Sequence, residues 1–253
     1  MTDCSFFDGP AGRRLAYHQT EGAGPGIVFL GGFVSDMNGT KAIDLEARAQ
    51  AAGRAFLRLD YSGHGQSSEA FEDGCIGDWS EDALALIEGV TDGPQILVGS
   101  SMGGWISLLV ARQAPHLIAG LVGIAAAPDF TEDSMWASFD DAQRAEIMRD
   151  GKIVLPSDYS DDGYVITKRL IEDGRSQLVL RDPLRLDFPV RLLHGTADAD
   201  VDMSVPLSIL DHAQGPDIHL RFVQGVDHRF SGPRELDLIW DAVGEVTAAA
   251  GRI

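Results

Sequence analysis

Gly99-Ser100-Ser101-Met102-Gly103 matches G-x-S-x-G with Ser101 at its centre. A short apolar run, Gln95–Val98, leads into it, and a helical pattern over Trp105–Ala114 leads out, ending at Pro115. That strand–turn–helix context lifts a serine hydroxyl out of a sharp turn as a nucleophile. The demand is steric. The residues two before and two after the serine must be small or they collide, and both are glycine here. Ser100 is out of register for this role. The plainer reading of the five residues alone is a glycine-rich turn with incidental serines.

A serine needs a base to act as a nucleophile. In this arrangement the partners follow in the order Ser, Asp or Glu, His, each after a core strand. Val190–Leu193 reads as such a strand, and Asp198 lies just beyond it, with Asp200 and Asp202 as neighbouring rivals. Ile218–Val223 reads as the next strand, followed by Gln-Gly-Val-Asp-His228. His228 is the candidate base, because of the seven histidines it alone follows the last strand. His18, His116, His212 and His219 read as surface or hairpin residues, and His64 and His194 as residues of glycine-containing turns.

An acyl transfer of this kind also needs donors for an oxyanion. One is the backbone N–H of the residue after the nucleophile, Met102. The second comes from the loop after the Ile27–Leu30 run, where Gly31-Gly32-Phe33 offers the Phe33 N–H. Glycines there let the backbone approach a substrate. Asp60-Tyr-Ser-Gly-His-Gly-Gln-Ser67 lacks the third glycine of a dinucleotide fingerprint and reads as a structural turn. No cofactor and no metal site is indicated.

These residues need a scaffold, and the chain alternates to provide one. Residues 5–20 read as a hairpin, then come an apolar run at 26–30, a helix over 41–52 capped by Thr40, and a run at 55–59. A helix over 78–90, the Gln95–Val98 strand, the 105–114 helix and a run at 117–126 complete the first half. The rhythm breaks over 128–187, a polar stretch with helical patterns near 138–149 and 164–174 and no core strand. It resumes at 190–193 and 218–223 and ends in a helix over 233–249. Strands alternating with helices imply parallel βαβ units. The expectation is a single α/β domain over 1–253, a mostly parallel sheet flanked by helices, with 128–187 inserted as a helical cap.

Composition narrows the partners. The 253 residues carry a net charge of −19, which repels phosphate backbones and anionic membrane surfaces. Cys4 and Cys75 form neither a CxxC pair nor a cluster with histidine. The longest apolar run, Leu117–Ala127, is too short to span a bilayer. MTDCSFFDGP has no apolar core of a signal peptide, so a cytoplasmic protein with reduced thiols is expected. Oligomeric state is not encoded in any of these features.

Several longer stretches carry a family resemblance. They are Gly31–Ala42 (GGFVSDMNGTKA), Leu59–Gly65, Ile76–Trp79, Gly93–Trp105, Leu155–Ser160 (LPSDYS), Arg191–Gly195 and Asp227–Arg229. The chain resembles the α/β-hydrolases and, among them, the acyl-protein thioesterases and acyl-glucuronide esterases of mitochondria. The resemblance implies Ser101, Asp198 and His228 as a triad, the set reached above, and hydrolysis of acyl thioesters or activated esters of a small molecule or an S-acylated protein. That family's leader is missing from this sequence, which also argues for a cytoplasmic location. Two other functions fit the same fold: a ligand receptor that retains a triad for one slow turnover, and a cofactor-free lyase or oxygenase. Multiple-turnover release from p-nitrophenyl esters separates the hydrolase from the receptor.

Overall fold

The computed structural model describes residues 4–156 and 163–251. Ser157–Ser160, the end of the LPSDYS stretch, therefore lie outside the described residues. An eight-stranded sheet organises the chain. Its strands are β1 (Ser5–Asp8), β2 (Arg14–Thr20), β3 (Ala23–Leu30), β4 (Arg54–Leu59), β5 (Gln95–Ser100), β6 (Ile118–Ile124), β10 (Val190–Gly195) and β12 (Ile218–Val223). They lie in the order β1-β2-β4-β3-β5-β6-β10-β12. The β1–β2 and β2–β4 pairs are antiparallel and all the pairs from β4 to β12 are parallel.

A parallel sheet covered on both faces needs strands that are apolar at every position, not at alternate ones. β3 shows the consequence. Val28 and Leu30 join the core on one face, and Ile27 and Phe29 join the other. β5 divides in the same way, Leu97 to one side and Ile96 and Val98 to the other. Helices α2 (Ile76–Val90) and α3 (Met102–Gln113) cover the first face, and α1 (Thr40–Ala51) and α7 (Pro233–Ala250) the second. Trp79 and Trp105 are fully buried under the first face.

Three local expectations change. The N-cap of α1 is Gly39, with Thr40 as the first helical residue and no side-chain cap bond. His194 lies inside β10, fully buried, not in a turn. The 128–187 insertion is mixed rather than purely helical. A π-helical turn (Thr131–Trp136), α4 (Asp141–Asp150) and α5 (Lys168–Ser176) alternate with β7 (Lys152–Leu155) and β8 (Tyr164–Thr167), which form their own antiparallel pair. β8 occupies the start of the pattern read as helix. Its β-branched Val-Ile-Thr run favours an extended backbone, and Thr167 then caps α5 by accepting from the Leu170 N–H.

The insertion is closed at its base by one set of bonds and fastened to the main body by another. Asp129, fully buried, accepts from the Val179 and Leu180 N–H groups at 2.8 and 3.0 Å. Trp105 Nε1 donates to the Gln177 carbonyl at 3.2 Å. Near its end, β9 (Leu184–Arg185) pairs with β11 (Ala213–Gln214), and α6 (Ser204–His212) separates β10 from β11. No helix among the described residues is long and apolar enough to cross a membrane.

Candidate active site

Ser101 stands between β5 and α3 with φ 54° and ψ −118°, a backbone conformation that L-residues avoid. Such a residue stores about 1–3 kcal/mol and persists only where its surroundings enforce it. Its own N–H donates to the Ile124 carbonyl at 2.9 Å, and its carbonyl accepts from Gly104 and Ala127 at 2.9 and 3.1 Å. The glycines follow from the same geometry. A Cβ on Gly99 would lie 2.3 Å from the Gly103 carbonyl oxygen, and one on Gly103 would lie 2.0 Å from the Leu30 carbonyl oxygen. Ser100 remains the last residue of β5.

His228 sits in the loop between β12 and α7. Its Nε2 is 3.1 Å from the Ser101 hydroxyl, and its Nδ1 is 2.8 Å from Asp198 Oδ2. A carboxylate can only accept, so Nδ1 carries the proton and Nε2 presents its lone pair to the serine O–H. The Asp198 side chain has no solvent exposure. Burial pushes its pKa up, but the bonds from His228 and from the Val201 and Asp200 amides outweigh this and hold it below the usual carboxylate value. Both amides donate to Oδ1 at 2.9 Å. Asp200, Asp198 and His228 place ligand atoms within 4.8 Å of one another, a spacing a cation could share, yet both Asp198 oxygens are already engaged by N–H donors.

His194 supports this loop from below. Its Nε2 donates to the Val201 carbonyl at 3.0 Å, and burial lowers its pKa. Asp60 does similar work on the other side. Its buried carboxylate accepts from the Met37 N–H at 2.7 Å and the Gln66 N–H at 2.9 Å, tying the β3–α1 loop to the turn after β4.

The β3–α1 loop passes directly over Ser101. A Cβ on Gly32 would lie 3.5 Å from Ser101 Cβ, which puts the Gly32–Phe33 backbone beside the hydroxyl. The Phe33 ring anchors that loop, edge-on to Phe71, Phe130, Tyr164 and Trp79 at centroid distances of 5.0 to 6.0 Å. Met102 opens α3, so its N–H is among the first-turn amides that a helix leaves without an internal acceptor.

A cavity of about 480 Å³ joins these groups. Phe33, Phe130, Met135 and Tyr164 give it an apolar wall, and Asp36, Lys41, Asp200 and Arg229 are charged residues that line it. The sequence gives Phe33 and Asp200 other candidate roles and marks no lining role for the rest. The GTKA stretch was the available signal for Lys41, while Phe130, Met135 and Tyr164 belong to the insertion and obey no period. Burial lowers the Lys41 pKa to about 8, with Asp227 opposing and Arg229 adding to the shift.

A family profile for the α/β hydrolase fold matches residues 25–153, and the chain belongs to that family. It is similar over most of its length to the protein named palmitoyl-protein thioesterase ABHD10, mitochondrial. The Rattus norvegicus protein is 36% identical over 239 residues, 94% of this chain and 80% of the relative. The Homo sapiens protein is 35% identical, covering 94% and 78%. The solved structure of alpha/beta hydrolase domain-containing protein 10 from mouse superposes with a TM-score of 0.90 at 34% identity, over 98% of this chain and 99% of that one. These relatives are named as mitochondrial, which overturns the cytoplasmic expectation. That expectation rested on the first residues of the sequence, which do not carry such a conclusion.

Proposed function

We propose that the protein is a serine thioesterase and carboxylesterase acting through an acyl-enzyme on Ser101. The observation that carries this reading is the continuous line of hydrogen bonds from Ser101 through His228 to the buried carboxylate of Asp198, at a strained turn on the wall of a cavity. His228 Nε2 takes the hydroxyl proton as Ser101 Oγ attacks the acyl carbonyl. The resulting oxyanion faces the N–H groups of Phe33 and Met102, each worth about 3 kcal/mol in such a position. The C–S or C–O bond breaks, and the leaving group departs with the proton from His228. Water, deprotonated by His228, then releases the acid and restores the serine. Asp198 keeps Nδ1 protonated and stabilises the imidazolium.

The substrate class follows from the leaving group, the cavity and the charge. A thiol with a pKa of about 8.5 is a good leaving group that needs little proton transfer as the bond breaks, whereas an amine must first be protonated. Thioesters and activated esters are therefore cleaved and amides are not. The wall of Phe33, Phe130, Met135 and Tyr164 receives the acyl chain, and three of these four residues come from the 128–187 segment, which in this reading is the cap that sets specificity. A chain of net charge −19 with three lysines disfavours the phosphates of acyl-CoA. An acyl group on a cysteine side chain, the substrate type named for the relatives, avoids that repulsion. The test is a competition at low salt between an S-acyl cysteine peptide and the matching acyl-CoA. Faster turnover of the peptide is expected. Faster turnover of acyl-CoA, or brisk ester cleavage with no thioesterase activity, overturns the proposal.

A further inference from the structure

We propose that Lys41 is a positioning residue whose ammonium grips the main-chain carbonyl of Arg229 and so locks the loop bearing His228 to the loop bearing Phe33. The inference rests on the Ser101–His228 reading above. Lys41 Nζ donates to the Arg229 carbonyl at 2.6 Å, across 188 residues of sequence. Lys41 is the second residue of α1, directly after the loop that passes over Ser101. One side chain thus connects the segment proposed to hold the oxyanion with the segment proposed to carry the base.

Two further tethers of the His228 loop act before the histidine. Gly225 N–H donates to Thr196 Oγ1 at 3.0 Å, and the Val226 carbonyl accepts from Ala197 at 3.0 Å. Both fix the loop to β10's end. The Lys41 contact acts one residue after the histidine and pulls toward β3's end. With both in place, the imidazole is held from two sides, and the 3.1 Å line from Nε2 to Ser101 is set by the backbone and not by chance rotamers.

The site is a poor one for a lysine chosen for packing alone. It is the first turn of a helix, where the dipole disfavours a cation, and burial lowers its pKa to about 8. A methionine of similar length would fill the same volume without that cost. The charged and titratable groups around it are Asp36 from the β3–α1 loop, Asp200 from the β10–α6 loop, and Asp227, His228 and Arg229 from the β12–α7 loop. Only a protonated amine makes the stronger, charge-assisted bond to a carbonyl.

The experiment measures kcat and KM for a neutral p-nitrophenyl ester with wild type, Lys41→Met and Lys41→Arg, together with the thermal midpoint of each. Lys41→Met is expected to lose about tenfold to hundredfold in kcat, the range for a hydrogen bond to a charged group, with KM within about twofold. Lys41→Arg restores kcat to within about fivefold, because the guanidinium also donates and stays charged. From pH 7 to 9.5 the wild-type kcat falls a few-fold as Lys41 loses its proton, and the arginine variant stays flat. That comparison holds even if Lys41→Met does not fold. Unchanged kcat in Lys41→Met, an effect on KM alone, no recovery by arginine, or a wild-type alkaline profile as flat as the variant's overturns the inference. Ser101→Ala is run beside them. If it stays active, the serine mechanism has failed. If it is dead while Lys41→Met keeps wild-type kcat, only the positioning role has failed.

Discussion

Asp198→Asn is nearly isosteric, so its effect can be reasoned from hydrogen bonds alone. The Oδ1 position receives two N–H donors, Asp200 and Val201 at 2.9 Å, and the Oδ2 position receives one, His228 Nδ1 at 2.8 Å. An asparagine has one oxygen and must choose. Placing it at the two-donor position leaves one fewer donor unpaired, a preference of about 1–3 kcal/mol. Its NH2 then faces His228 Nδ1, which must accept, so the ring proton moves to Nε2 and points at Ser101. That tautomer cannot take the serine proton. Losing the carboxylate also removes a charged hydrogen bond from the imidazolium, about another 1.5–3 kcal/mol. Together these predict a fall in kcat of about 10² to 10⁴, since each 1.36 kcal/mol is about tenfold. Steady-state hydrolysis of a p-nitrophenyl ester at pH 8 measures it, with KM expected to change by less than about threefold. Asp200→Asn is the control, because Asp200 contributes its backbone N–H to Asp198 and the substitution keeps that group. A crippled Asp200→Asn beside a near-normal Asp198→Asn would refute the assignment of the acid.

Ser101→Ala should reduce turnover by several orders of magnitude and abolish fluorophosphonate labelling, while Ser100→Ala stays within about tenfold, since only the first removes the attacking oxygen. Labelling at any other residue contradicts the assignment. Gly103→Ala should cost about 3 kcal/mol or more, because its Cβ would press within 2.0 Å of the Leu30 carbonyl oxygen on rigid backbone; a urea midpoint equal to wild type would show that the elbow is not close-packed. Gly32→Ala should separate stability from activity. Its methyl meets nothing closer than 3.5 Å, so the fold tolerates it, yet it projects toward Ser101 and should lower kcat by about a hundredfold, the scale of a misaligned oxyanion donor. Full activity in that variant places the oxyanion elsewhere.

The sheet was legible because parallel strands buried on both faces leave unbroken apolar runs. Ile27–Leu30, Ile96–Val98 and Val190–Leu193 announce themselves, and glycines mark where β3 and β10 stop. Errors fell at the edges and in short elements. β5 runs on to Ser100, since a residue in the strand ladder with Ile124 carries no sequence mark of its own. α6 went unread because Pro206 stands as its third residue, and a proline so near the start of a short run looks like a break. β8 reads in the sequence as the beginning of α5 because four residues are too few to show either period.

The site divides along the same line, for a reason that lies in the architecture. Ser101, Asp198 and His228 each follow the carboxyl end of a parallel strand, β5, β10 and β12, so reading the strands located them. Their hydrogen-bonded approach to one another is then a property of the sheet, since adjacent parallel strands deliver their ends to one edge. Lys41 is on that edge too, but at the start of a helix, where a lone lysine resembles solvated surface. Phe130, Met135 and Tyr164 come from an insertion whose fold depends on long-range contacts of the buried Asp129 carboxylate, the Trp105 indole and the Phe33 ring. Those contacts join residues 50 to 131 positions apart, so no local pattern encodes them. On the proposed reading, the reacting groups follow the strands and the residues that receive the acyl chain come largely from the insertion. Exchanging Met135 or Tyr164 should therefore shift chain-length preference while leaving the Ser101–His228 bond intact.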